Sequence, residues 1–382
     1  MRISIHSWPR HSIPLVTNNS ISKNPASCFY KRGSDKINNK IIALLTFLIT
    51  LLSLIAGCIQ QEKNTFYVGS GDADYNTIQQ AINAAKNGAT IIIKNGSYNE
   101  LLVINKTITL IGEDKNTTIL NFSPNYDIRS QLAIITINAA NCSIENLQIT
   151  LSNRSRFLDV EIQSGGCCGE PDVVKTTSLI AGGISINSSY NTIKNNIITN
   201  VSKGIELLAS TESNTLKFNE IKNNEIGIET LRSINNTISH NIVSNNQQYN
   251  IYVSTDSDTN KVSFNSMDTS IYGIRIKDSD DNIVYNNCIK NNDIGIYCCC
   301  DAKSNTIYSN TFLNNSVRNA EESAGLLNIW YVYPNGTGNY WDDYNGSDAN
   351  LDGICDIPYT ITVSKNQDLH PLMTPPVDIP CN

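Results

Sequence analysis

The chain has 382 residues, 40% of them hydrophobic and 7% aromatic, with a formal net charge of -7. That much apolar material can bury the core of one large domain or two ordinary ones. Residues 1 to 58 hold seven of the 28 Lys/Arg and one of the 35 acids, so the remainder carries 28 - 7 = 21 bases against 35 - 1 = 34 acids, a net of -13. A surface of that sign excludes nucleic acid as an expected partner and leaves cations, glycans and proteins.

In chain order, residues 1–40 are polar and basic, longer than an ordinary leader n-region, and read as an N-terminal extension or a mis-called start, outside the fold. Residues 41–58 combine an uncharged apolar run, preceded by Lys36 and Lys40, with Ile55-Ala56-Gly57-Cys58 at its end. Small residues before a cysteine resemble a lipobox, which makes Cys58 the expected lipidation site and mature N-terminus. A single N-terminal transmembrane segment is the alternative, at the short limit for spanning. Either places the protein on the extracellular face of the membrane. Twelve Asn-x-Ser/Thr sites follow, from Asn95 to Asn345, available for glycosylation in a host that performs it.

The stretch "DYNTIQQAINAAKNG" sets Ile78, Ala81, Ile82 and Ala85 on one helical face and stops at Asn87-Gly88. The strand-rich segments Ala89 to Phe122 and Ala133 to Thr150 come next. Then a repeat begins at Asn191, Asn214, Asn236, Asn260, Asn282 and Asn305, with spacings of 23, 22, 24, 22 and 23 residues. The third residue of each unit is apolar (Ile193, Leu216, Ile238, Val262, Val284, Ile307), the sixth is asparagine (Asn196 to Asn310) and the eighth is apolar again (Ile198 to Phe312). A fixed period in this range marks a solenoid, and apolar residues at period two with Gly and Asn breaks make its turns from short strands. The asparagines read first as corner formers and second as amide ladders between stacked turns. The helix would cap the open N-terminal edge of such a stack.

Tyr75 to Leu120, the Asn-x-Ile repeats and the ending "GTGNYWDDYNGSDANLDGICDIPYTI" with "DLHPLM" together resemble the pectin-lyase-like right-handed parallel β-helix proteins, more narrowly the NosD-like group of archaeal cell-surface type. The resemblance spans residues 65–374 and implies an all-β fold, a right-handed parallel β-helix with a short N-terminal capping helix, an insert loop at 152–183, a C-terminal cap at 328–374 and a tail at 375–382. It does not specify an activity, because that fold carries lyases, hydrolases, adhesins and accessory proteins.

The alternation of the strand at Gly295 points Ile296 and Cys298 inward and Tyr297 and Cys299 outward, so Cys298, Cys299 and Cys300 cannot converge on one ion. Cys299, Cys300 and Cys288 remain outward candidates for Cu(I) or zinc, a role that copper-site assembly in the NosD group suggests and that no Cys-x-x-Cys spacing supports. Nine cysteines remain once Cys28 and Cys58 are set aside, so at least one thiol stays free or pairs between chains. Cys167 and Cys168 fall in the insert, a recognition loop or an ornament. The turn Asp348, Asn350, Asp352, Ile354 and Asp356 has the oxygen spacing of the first part of an EF-hand loop, with Gly353 at the sixth position and Tyr359 where the last carboxylate would be; calcium is its expected cofactor. Trp330, Tyr331, Tyr333, Tyr340, Trp341 and Tyr344 should pack over the last turn.

For catalysis, "GIRIK" (Gly273 to Lys277) resembles one polygalacturonase motif, but no Asn-Thr-Asp or Gly-His-Gly accompanies it. No catalytic residue is assigned. The outward row Glu206, Glu229, Tyr252, Arg275 and Tyr297 is a mixed surface suited to binding a polysaccharide or a cell-surface protein. The alternatives are a carbohydrate-active lyase or hydrolase and a NosD-like copper accessory protein. An acid pair with Lys or Arg in a groove would favour the enzyme; a flat Asn- and Thr-rich face would favour binding.

Overall fold

The structure is a computed structural model that describes residues 40, 43–48, 50, 64–123, 132–152, 157–162, 174–179, 181–332, 336–376 and 381. Cys58, Cys167, Cys168 and Tyr333 lie outside the described residues. The chain divides into two compact units, Met1–Glu62 and Lys63–Asn382. In the first, residues 43–48 are helical. No helix among the described residues is long and apolar enough to cross a membrane.

The second unit is the expected parallel β-helix, about ten turns long. Three ten-stranded parallel sheets run along it. The first runs from Thr65–Val68 to Thr306–Tyr308, the second from Gly96–Tyr98 to Tyr340–Trp341, and the third from Leu102–Ile104 to Thr362–Val363. Each strand pairs with its counterpart one turn away, in register, as Ile193 with Leu216 and Leu216 with Ile238. The apolar columns read from the repeat are buried inside: Ile193, Leu216, Ile238, Val262, Val284 and Ile307 all have 0% exposure. Each fully buried aliphatic side chain contributes about 1.5–3 kcal/mol against chain entropy.

The asparagines do more than form corners. Positive φ falls on the residue before each ladder asparagine: Asn195, Phe218, His240 and Phe264 at 54°, 57°, 56° and 54° precede Asn196, Asn219, Asn241 and Asn265. The ladder asparagines themselves turn inward, buried, and relay hydrogen bonds from turn to turn. Asn241 donates both its backbone N–H and its Nδ2 to Asn265 Oδ1 (2.9 and 3.0 Å), and Asn265 does the same to Asn287 (3.0 and 3.0 Å). A second chain runs Asn191, Asn214, Asn236, Asn260, Asn282, Asn305, Asn328. A third runs from Asn224 through Asn246, Asn250, Asn292 and Asn315 to Asn319.

All three point their donors toward the C-terminal end, and each stops on a carboxylate. Asn328 donates to Glu322, Asn339 to Asp368, and Asn319 to Asp342 and Asp343. Glu322 also takes Trp330 Nε1 at 3.1 Å, and Asp368 takes Trp341 Nε1 at 3.0 Å. Burial pushes the Asp368 carboxyl up to about 6, against the N–H donors of Asn339, His370 and Trp341 that pull it down. The aromatic cap forms as expected, with Trp341 stacked between Phe312 (4.4 Å) and Tyr359 (4.2 Å).

The N-terminal helix forms at Ile78–Ala84, burying Ile78, Ala81 and Ile82. The Glu100 carboxylate accepts from Ile78 N and Gln79 N at 2.9 and 3.0 Å, where a helix N-terminus favours an anion. In the insert, Phe157–Ile162 and Val174–Leu179 pair as an antiparallel hairpin. At the other end, a Cys288–Cys381 disulfide closes a separation of 93 residues and ties the tail to the second sheet.

Asn265→Ala should lower stability by about 2–4 kcal/mol, because Asn241 loses its acceptor inside the core. The exposed strand substitution Lys261→Ala, at a position without positive φ, should stay within about 0.5 kcal/mol. Urea midpoints of the two variants check this; equal values would show that the ladder carries no stability.

Candidate functional site

The outer face of the third sheet carries one row in register. Ser185, Glu206, Glu229, Tyr252, Arg275, Tyr297 and Glu321 occupy the same position in successive turns. A second outward position, three residues earlier, supplies Lys203, Tyr249 and Tyr272. Both rows share one side because two successive residues between them, a glycine or asparagine and then an isoleucine, are buried. A Cβ built on Gly204 would stand 2.5 Å from the Gly227 carbonyl oxygen, so this turn needs glycine there, whereas the turns of Tyr249 and Arg318 carry Asn250 and Asn319 at the same position.

At the N-terminal part of this face, Lys203 bridges the acid pair. Its Nζ lies 2.6 Å from Glu229 Oε2 and also contacts Glu206 Oε1. Glu229 is 6% exposed. Burial raises its pKa, opposed by Lys203 and reinforced by the Glu206 charge. Burial alone would lower the Lys203 pKa, but Glu229 and Glu206 outweigh it and hold the ammonium charged. Beside the cluster opens a cleft of about 390 Å³ lined by Thr136, Ser185, Asn187, Ser202, Lys203 and Glu206 over an apolar floor of Ala133, Ile184 and Leu208.

Farther along, Arg275 is enclosed by tyrosines. Its Cζ lies 5.7, 5.8, 5.5 and 5.5 Å from the ring centres of Tyr249, Tyr252, Tyr272 and Tyr297. Its Nη1 donates to Tyr249 Oη at 2.9 Å. Charge over ring faces stabilises such an arrangement by about 0.5–2 kcal/mol per good contact.

The cysteine run splits as its alternation requires, but not all of it is where the sequence placed it. Cys298 sits in the core and burial pushes its thiol well up. Cys299 keeps the outward register, paired with Lys277, yet is fully buried with Sγ 3.7 Å from Arg275 Nη2. That corrects the expectation of an exposed thiol: the large side chains of the neighbouring rows bury it. Cys288 is no ligand candidate either, since its sulfur is spent in the disulfide with Cys381. Among the described residues, no three His, Cys, Asp or Glu side chains converge as metal ligands. Cys288 and Cys299 are thus unavailable as exposed thiolate ligands.

Asp348, Asn350, Asp352, Ile354 and Asp356 do share one exposed turn. Its carboxylates are satisfied locally: Asp348 accepts from Asp352 N and Gly353 N, Asp352 from Ile354 N, and Asp356 from Ala349 N. His240 is sandwiched between Phe218 and Phe264, with ring centres 5.1 and 5.0 Å away. The sequence reading missed Lys203, Tyr249 and Tyr272; the available signal was the glycine after Lys203, which returns a residue three positions ahead of Glu206 to the same face.

Lys203→Met should leave two acids without their cation and lower stability by about 3 kcal/mol or more near neutral pH. Because the Glu229 pKa is raised on folding, the loss is small below the ordinary carboxylate range and grows as pH rises through the folded value. Thermal melts of variant and parent across pH read this; a pH-independent difference would contradict it.

The sequence profile of the family described as "Periplasmic copper-binding protein (NosD)" matches residues 82–346. No curated protein matches. Among solved structures, pectin methylesterase PemA from Erwinia chrysanthemi aligns at 12% identity and a TM-score of 0.43, covering 70% of this chain and 92% of the other. The GH136 lacto-N-biosidase from Eubacterium ramulus aligns at 10% identity and 0.49, covering 79% and 67%. An alginate lyase from a Paenibacillus species aligns at 14% identity and 0.40, covering 70% and 96%.

Proposed function

The chain belongs to the NosD family, and from that premise we propose that it works outside the cytoplasm, anchored through Cys58, as a glycan-binding protein whose contact surface is the outer face of the third sheet. The observation that carries this reading is the single in-register row from Ser185 to Glu321, running from a cleft lined with hydroxyls past half-buried tyrosines. Sugars are recognised by such a mixture of hydroxyl, amide and carboxylate partners on a partly apolar floor. The Cys288–Cys381 disulfide supports an oxidising location.

A second reading has its own observation: a carboxyl pair, Glu206 and Glu229, bridged by Lys203 beside a cleft, is the feature that favours a glycan-cleaving enzyme. There Glu206 would meet the substrate and Glu229, buried behind it, would tune its charge. Release of new sugar ends from a bound glycan, lost in Glu206→Gln, supports cleavage; binding without release supports the lectin-like role.

The glycan-array signal of the purified full-length protein should be positive for at least one oligosaccharide class. It should fall about tenfold in Glu206→Ala, roughly 1.4 kcal/mol, and hold in Lys261→Ala. Absence of any signal removes the reading. Calcium is proposed for the turn Asp348 to Asp356, reached by swinging its carboxylates from the backbone amides onto the ion. Added calcium should raise the melting temperature of the parent and not that of Asp352→Ala, since a ligand bound only to the folded state stabilises it by mass action. Equal shifts would discard the site.

A further inference from the structure

Resting on the glycan-binding reading above, we propose that the cleft beside Lys203 selects an uncharged glycan, a polymer of neutral sugars, and rejects uronate polymers. The cleft's one cation among its described lining residues is already committed: the Lys203 ammonium contacts Glu206 and lies 2.6 Å from Glu229 Oε2. With both acids ionised the cluster sums to +1 - 2 = -1. An anionic sugar would therefore meet net negative charge at contact range, where salt screens little.

Of the other cations on the face, two offer an acidic polymer no better hold, and the third, the half-buried Lys277, stands three turns away from Lys203. Arg275 is 4% exposed inside its four tyrosine rings. Arg318 Nη1 pairs with Glu321 Oε2 at 3.0 Å. Beyond residue 58 the chain carries 21 bases against 34 acids, so long-range attraction also opposes a polyanion.

A cationic amino-sugar polymer is attracted by the same net charge but is denied the best local position. The position between the two carboxylates, where an ammonium would gain most, is filled by Lys203, and a second ammonium placed there would be repelled by the first. What the cleft leaves open is uncharged chemistry. The Thr136 and Ser185 hydroxyls and the Asn187 amide both donate and accept, the remaining Glu206 lone pairs accept, and Ala133, Ile184 and Leu208 supply an apolar floor.

The test is affinity electrophoresis of the purified full-length protein through gels containing a neutral mannan or β-glucan, polygalacturonate or alginate, or chitosan. Retardation by a neutral polymer should exceed that by polygalacturonate about tenfold and change little on adding salt. Ser185→Trp, which fills the cleft from the outer row without touching the core, should abolish it while the melting temperature holds. Stronger retardation by polygalacturonate, alginate or chitosan than by any neutral polymer overturns the uncharged assignment but leaves the glycan reading standing. Retardation unchanged in Ser185→Trp overturns the placement in this cleft. No retardation by any polymer overturns both.

Discussion

Stacking asparagine upon asparagine commits each turn from Asn191 onward to its neighbours. A side-chain amide buried in a solenoid core must find both an acceptor for its N–H groups and a donor for its carbonyl, because an unmade buried hydrogen bond costs more than a made one contributes. In a periodic chain the nearest solution is the same residue one turn on. Once the first amide donates forward, every later one must donate forward too, so three polarised chains run the length of the repeat. Glu322, Asp368 and Asp342 follow from that polarity: the last donors need acceptors, and an anion accepts most strongly. The aromatic cap is arranged around the same acids, with Trp330 and Trp341 donating their indole N–H to Glu322 and Asp368.

The same register builds the candidate site. A side chain on the third sheet has neighbours above and below at about 4.8 Å, so a row of unlike residues becomes a continuous strip without any loop to position it. Glu206 and Glu229 are adjacent because they are one turn apart, and Lys203 joins them because two buried residues, Gly204 and Ile205, return it to the face that carries Glu206. The strip changes character along the axis, from hydroxyls and an ion cluster to tyrosines around a guanidinium. Rigidity of the scaffold makes that order fixed, which suits recognition of an extended ligand better than enclosure of a small one.

The cysteines show how far a thiol's fate depends on its row. Three consecutive residues meet three environments: Cys298 in the core, Cys299 beneath Arg275, and Cys300 at a corner with φ of 56°. Family membership alone would draw these sulfurs toward metal chemistry; their geometry separates them.

From the sequence by itself came the β-helix, its period, the buried columns such as Ile193 to Ile307, the capping helix and the inward turn of Cys298, because a two-residue alternation repeated every 22–24 residues leaves one way to bury its apolar side. It also marked Glu206 and Glu229 as outward. Only the tertiary structure decided that Lys203 reaches both acids, that Cys299 is covered, that Cys288 finds Cys381 across 93 residues, and that the ladders end on Glu322, Asp368 and Asp342. Those contacts depend on side-chain reach and the closing of the last turn, and neither has a period for the sequence to display.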